Sequence, residues 1–317
     1  VGTDEHAYIF EKTSANWQDM AYTAKLSGSD IESGDYFGRA VAVQNEMIAV
    51  GAPFNDNNDT KGGTAYLFKK PAAGWQDTVE TAKLTAADGL PEDHFGSCIA
   101  MKDDLIAIAA KYDDVNAQSS GSVYVMQKPS GGWTDTTLSH KLSISSPYQN
   151  ESLGQSIVIG QDTITASAGN NIYQFVKPQD GWADMTETIK SDINFASVSD
   201  VDISGVHILV GTPSDGEGGE TDLYKKDGTD LAATTKLKTF SAEPYMQLNN
   251  NGYGRAVDID GNYAVVVAQT TGIGYVLEYD GTSWNKIAKL RATGWHKDDF
   301  FGSSAAISGN LDRKSVV

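Results

Sequence analysis

Redox and metal chemistry have little to work with in this chain, because its 317 residues hold a single cysteine, Cys98. A lone thiol forms no internal disulfide, and neither a CxxC pair nor a Cys/His cluster exists to mark a zinc site. Long apolar runs are missing as well. The longest, such as Ala264 to Ala268, reach about five residues, far below the roughly 20 of a membrane-spanning helix. Positive charge is scarce: 24 Lys plus Arg face 42 Asp plus Glu, for a formal net charge of −18. Such a field repels phosphate backbones and anionic lipid, which argues against nucleic acid and membrane surfaces as partners. No segment sustains a 3.6-residue apolar period, so helix is expected to be nearly absent. The chain starts at Val1 without a charged-then-apolar leader, and is expected to be a processed product or part of a larger multidomain chain. What remains, 40% hydrophobic and 21% charged, fits a globular chain with a substantial core.

One phrase returns along the whole length. It reads Asp35-Tyr36-Phe37-Gly38, Asp93-His94-Phe95-Gly96, Glu151-Ser152-Leu153-Gly154, Gly252-Tyr253-Gly254 and Asp299-Phe300-Phe301-Gly302. A decayed sixth copy puts Ser197-Val198 in the place of Phe-Gly. Lys-Leu pairs such as Lys25-Leu26, Lys83-Leu84 and Lys141-Leu142 recur with the same count, as does a Tyr series (Tyr8, Tyr66, Tyr124, Tyr173, Asp222, Tyr275). Nine residues after five of these stands a Trp: Trp17, Trp75, Trp133, Trp182 and Trp284, with Leu231 in the weakened copy. Each unit reads as four short strands, with tight turns at Gln44-Asn45, Lys102-Asp103-Asp104, Ser204-Gly205 and Asp260-Gly261-Asn262. Repeats of this length and make-up predict an all-β, six-bladed β-propeller of four-stranded antiparallel blades filling residues 1–317 as one domain. The stretch from Leu290 through both termini to Leu26 has the length of one repeat, so one blade is expected to be completed from both ends. Seven blades is the alternative. The register further predicts that Phe37, Phe95, Leu153, Tyr253 and Phe301 are all buried at equivalent places.

With Phe37-Gly38 followed by Val50-Gly51-Ala52-Pro53, the sequence resembles the FG-GAP repeat of integrin α-subunit propellers and their microbial relatives. The resemblance implies the propeller fold and a ligand-binding role. The family often binds calcium in an Asp-x-Asp-x-Asp-Gly loop between the first two strands, but here those turns are too tight to wrap a cation. The family's calcium sites are therefore not carried over, and no cofactor is expected to be required.

In a propeller the loops joining strands 2 to 3 and strand 4 to the next blade emerge on one face, and nearly half of all carboxylates fall in them. Asp30, Asp35, Asp56, Asp59, Asp88, Asp93, Asp113, Asp114, Asp298 and Asp299, together with Trp295, make up the expected binding surface. Converging negative charge favours cations or a cationic partner. The plainer reading is a solvated acidic surface in which Asp35, Asp93 and Asp299 bond the backbone of the following Phe-Gly turn. Asn55, Asn57 and Asp59 supply alternating oxygens and are the best calcium candidates, although an EF-hand-like loop would need Gly at Thr60 and a later Glu. The Trp series suits either sugar stacking or packing between blades, and Trp295 stands outside it. The five His residues fall at unrelated points of the repeat, so no catalytic set emerges and the chain is not expected to be an enzyme. Asn58-Asp59-Thr60 and Asn150-Glu151-Ser152 match the N-glycosylation pattern. The leading expectation is an extracellular or cell-surface adhesion or ligand-binding module with a protein or glycan partner. A lectin-like propeller comes second and a polysaccharide-active enzyme third.

Overall fold

The structure is a computed structural model that describes residues 5–11, 21–56, 62–191, 195, 197–214, 218–227, 231, 234–241, 252–291, 302 and 304–307. Two compact units divide the chain, residues 1–162 with 176–187 and residues 163–175 with 188–317. Among the described residues every regular element is a β-strand except one turn of 3-10 helix, Gln269–Thr271.

In the first unit, Ala40–Gln44, Met47–Ala52, Thr64–Lys69 and Ala82–Ala86 pair antiparallel in sequence order. The next repeat copies the arrangement with Phe95–Lys102, Leu105–Ala110, Ser122–Gln127 and Lys141–Ser143. Met47–Ala52 and Leu105–Ala110 are apolar throughout because each is the second strand of a sheet covered on both faces. The expected two-residue turns are present, with Asn45 and Asp103 at φ 53° and 52°.

The two halves of the Phe-Gly and Gly-Ala-Pro phrase have a shared steric reason. A Cβ on Gly51 would sit 2.0 Å from the carbonyl oxygen of Gly96, in the following repeat. The first glycine thus lets the next repeat's Phe-Gly turn press against the strand. Gly211 and Gly254 repeat this contact in the second unit, again at 2.0 Å.

Sequence reasoning missed a fifth strand. After Trp75, Trp133 and Trp182 the chain contributes a short strand to the preceding repeat: Thr78–Val79 pairs parallel with Ala24–Ser27, Thr136–Leu138 with Ala82–Ala86, and Met185–Thr186 with Lys141–Ser143. An Asp two residues beyond the Trp fixes the register. Asp77, Asp135 and Asp184 accept the backbone N–H of Lys25, Lys83 and Lys141 at 2.8, 2.9 and 3.0 Å. An edge that would otherwise stay open is covered by the neighbour.

The second unit holds Thr163–Ala168, Asn171–Val176 and Ile189–Lys190 in one sheet. Two four-stranded antiparallel sheets follow. They run Asp200–Ser204, His207–Thr212, Glu220–Lys226 and Thr234–Ser241, then Tyr253–Asp260, Tyr263–Ala268, Ile273–Tyr279 and Trp284–Arg291.

Phe37, Phe95, Leu153 and Tyr253 are fully buried, as the register requires; in the decayed copy Ser197, at the Phe place, is half-buried and the adjacent Val198 is buried, while Phe301 lies outside the described residues. Trp75 and Trp133 pack partly buried against core clusters, while Trp284 and Leu231 are buried. At these four positions the series packs rather than displays, while Trp17 lies outside the described residues.

Candidate binding face

The loop carboxylates of the first unit divide into those neutralised from within and those left to solvent. Asp30 accepts the Tyr66 hydroxyl at 2.8 Å and the Lys83 ammonium at 2.5 Å. In the next repeat Asp88 takes the Tyr124 hydroxyl at 2.6 Å and Lys141 at 2.7 Å. In these two repeats the recurring Tyr (Tyr66, Tyr124) and the Lys of the Lys-Leu pair (Lys83, Lys141) are thus partners of these carboxylates, a role their spacing alone did not disclose. Burial works against the Lys83 charge, but the bond to Asp30 and its field outweigh it and the ammonium pKa rises. Burial also opposes ionisation of Asp88, yet its bonds to Lys141 and Tyr124 pull its pKa below the ordinary value. The Tyr66 hydroxyl is pushed up by burial and then by its bond to Asp30.

Asp35 and Asp93 lie deeper and are buried. Their bonds run backward, not to the following Phe-Gly turn: Asp35 accepts the N–H of Glu32 at 2.9 Å and Asp93 that of Leu90 at 2.6 Å. Asn55 is buried behind Asp35, donating to it at 2.9 Å and accepting the Thr64 hydroxyl at 2.9 Å. Its amide oxygen is thus already bonded inside the fold. At the equivalent position of the next repeat stands Asp113, which accepts Ser122 at 2.6 Å and Lys141 at 2.7 Å. Desolvation first, and then the field of Asp113, hold the Asp93 carboxyl up at about 6, against the lowering effect of the Leu90 N–H. Asp56 and Asp114 are exposed, and Asp114 accepts the N–H of Ser119 at 2.7 Å. Asn57, Asp59, Trp295, Asp298 and Asp299 lie outside the described residues. Among the described residues no group of three His, Cys, Asp or Glu is placed to hold a metal ion.

Between these carboxylates runs a row of rings that sequence reasoning did not find. Tyr36, Phe54, His94 and Tyr112 succeed one another at centroid distances of 4.9, 4.2 and 4.8 Å. Tyr36 and His94 stand at φ 54° and 57°, a left-handed conformation that turns them away from the buried Phe37 and Phe95 that follow. Tyr36, Phe54 and Tyr112 stay 45, 40 and 37% exposed, whereas His94 is only 7% exposed. The His94 Nε2 has no hydrogen-bond partner and lies 3.6 Å from Glu92. Burial, then the Lys111 charge, depresses its pKa. The row escaped notice because two of its members come from one repeat and two from the next, so the contact that joins them is not local in sequence.

A second acidic feature sits on the innermost strands of the second unit. Asp200 and Asp202 accept the backbone N–H groups of Val257 and Ile259, each at 2.9 Å, and Asp258 accepts that of Ile307. Asp202 lies near enough to Asp258 to act on its carboxyl through a hydrogen bond and through its charge. Burial, and then this contact, raises the Asp258 pKa far above the carboxylate range.

Compared with solved structures, the chain has the fold of several propeller-like proteins. A Lactobacillus plantarum protein aligns with TM-score 0.58 at 12% identity, over 90% of this chain and 81% of that one. The periplasmic gluconolactonase PpgL of Pseudomonas aeruginosa aligns at 0.55 and 10% identity, over 86% and 79%. The computationally designed Ika8 protein aligns at 0.51 and 12% identity over 85% of this chain, which spans only 64% of its length. These likenesses establish an all-β, propeller-like architecture of small sheets. No curated protein sequence matches the chain. The FG-GAP repeat family matches residues 21–68 and 78–126. These two segments, which carry the whole aromatic row, are FG-GAP repeats.

Proposed function

We propose that this chain is a ligand-binding propeller, of six blades with one completed by both termini, acting outside the cell or at its surface and not as an enzyme. The binding face is the loop side of the two FG-GAP repeats. The observation that carries the reading is the row Tyr36, Phe54, His94 and Tyr112, three of whose rings stay exposed among carboxylates. Exposed aromatic rings cost hydrophobic free energy in an unbound protein, and clustered ones mark interaction sites. The fold supports the reading because strand pairing and the Gly51 to Gly96 contact set these loops on a paired scaffold. Adhesion would place this face against a protein or glycan partner. Binding of the whole chain to immobilised protein and glycan panels tests it: retained ligands should be lost when Phe54 and Tyr112 are both replaced by Ala. A ligand captured equally well by that variant would refute the assignment of the face.

A polysaccharide-active enzyme is the second reading, favoured by Asp258, whose carboxyl is raised far above the ordinary range by burial and then by Asp202, since a carboxyl that keeps its proton at neutral pH suits general-acid work. Turnover of a polysaccharide abolished by Asp258→Asn would install it in place of the first.

A further inference from the structure

The row of rings carries a finer pattern, and the inference from it rests on the ligand-binding reading above. Phe54 is followed two residues on by Asp56, and Tyr112 by Asp114, so each of the two FG-GAP repeats carries one half-exposed ring and, two residues later in the same loop, an exposed carboxylate. Glu92 lies beside His94 between them, at 3.6 Å. A ring face with a carboxylate at its margin suits one kind of group, a cation flat against or above the ring with its charge compensated at the side. The molecule already shows such an occupant: the Lys111 ammonium stands 4.9 Å from the Tyr112 centroid. His94 adds a buried, unpartnered ring nitrogen between the two positions. With its pKa depressed it is neutral at pH 7 and does not repel a cation. The net charge of −18 supplies long-range attraction of the same sign.

We propose that Phe54 with Asp56 and Tyr112 with Asp114 form two equivalent subsites for the lysine or arginine side chains of a basic peptide segment, with His94 and Glu92 between them. The two cations of the segment occupy the subsites together, and Lys111 competes for the second. A neutral glycan would use the same rings through its C–H faces but would gain nothing from the carboxylates.

The test uses the whole chain and fluorescein-labelled octalysine, octaarginine and a neutral Gly-Ser octapeptide, measured by anisotropy across a salt series. The basic peptides should bind and the neutral one should not. Replacing Phe54 and Tyr112 together by Leu leaves the net charge untouched and should weaken basic-peptide binding about tenfold with the salt dependence unchanged, because two exposed cation–π contacts are lost. Asp56→Asn with Asp114→Asn should weaken it comparably at low salt and flatten the salt dependence. Lys111→Met should tighten binding about two- to threefold, by freeing the Tyr112 face and removing a positive charge. Basic-peptide binding indifferent to the Leu pair would show a diffuse acidic halo and overturn the proposal. Glycan binding that the Leu pair abolishes, without peptide binding, would overturn the partner class while leaving the binding face standing.

Discussion

The two FG-GAP repeats differ at one buried position in a way that isolates a single interaction. In the first, Asn55 donates a hydrogen bond to the buried Asp35; in the second, Asp113 stands in the same place, a carboxyl in place of an amide donor, and its charge adds to burial in raising Asp93. A change from amide to carboxylate turns a partner into a repelling neighbour. The second repeat compensates by drawing Lys141 toward Asp113, at 2.7 Å, a bond that the first repeat has no carboxylate at position 55 to make. Matching strands and turns thus carry two different polar arrangements, and in the second repeat burial first, with Asp113 adding to it, holds the Asp93 carboxyl up at about 6.

The comparison can be strained hardest through the shared packing. Phe37→Ala and Phe95→Ala should each cost about 3 to 5 kcal/mol in denaturant titration, since both rings are completely buried and leave comparable cavities. A loss below roughly 1 kcal/mol at either site would break the equivalence of the repeats. Next in size is the stitch between neighbours. Asp135→Ala removes the acceptor for the Lys83 N–H and should lower stability by about 1 kcal/mol, with a similar loss for Asp77→Ala.

Smaller, and diagnostic in its sign, is the pH dependence of Asp93. Its carboxyl keeps a proton in the fold up to about pH 6, whereas the unfolded chain releases it near pH 4. The native state binds the extra proton in that window, so this group's stability contribution is fully present below about pH 4 and is lost as pH rises to about 6. Asp113→Asn rebuilds the first repeat's arrangement and should shrink that decline; an unchanged slope in urea melts at pH 4, 5, 6 and 7 would assign it to other groups. Asp258 carries the same sign over a wider range, and its protonated carboxyl should appear in the infrared spectrum at neutral pH and vanish in Asp258→Asn. Smallest is the effect of calcium removal. Excess EDTA should leave the melting temperature unchanged, because the first turns are two residues long and Asn55 is committed to Asp35 and Thr64. A collapse in EDTA would reveal structural metal sites.

What could be read in advance follows from distance along the chain. Strand order, tight turns and the buried Phe series were legible because each depends on residues close together and recurs with the repeat. The acidic crowding was legible as composition, but the neutralisation of Asp30 was not, since Tyr66 and Lys83 come from 36 and 53 residues further on. The same holds for the Trp-x-Asp stitch, whose acceptor and donor are 52 residues apart in the Asp135 case. Local pattern names the strands, while the partners of polar groups are decided by how strands stack. The inner-strand carboxylates were hidden for a further reason. Asp202 and Asp258 occupy the ladder positions that Ala42 and Ala100 hold in the first unit, so nothing in the repeat signature marks them.

The parallel strand lent to the preceding repeat after Trp75, Trp133 and Trp182 has a bearing on how such a chain can be cut or copied. A stretch excised from one Phe-Gly to the next would lose its outer edge and carry a spare strand belonging to its predecessor. A self-sufficient fragment built on Ala40–Gln44 through Ala82–Ala86 must run on to Leu138 to close its own sheet. The segment that recurs in the sequence and the segment that can stand by itself are thus out of phase. Duplication of the one at gene level would leave an overhang at each junction, which the next copy is needed to fill.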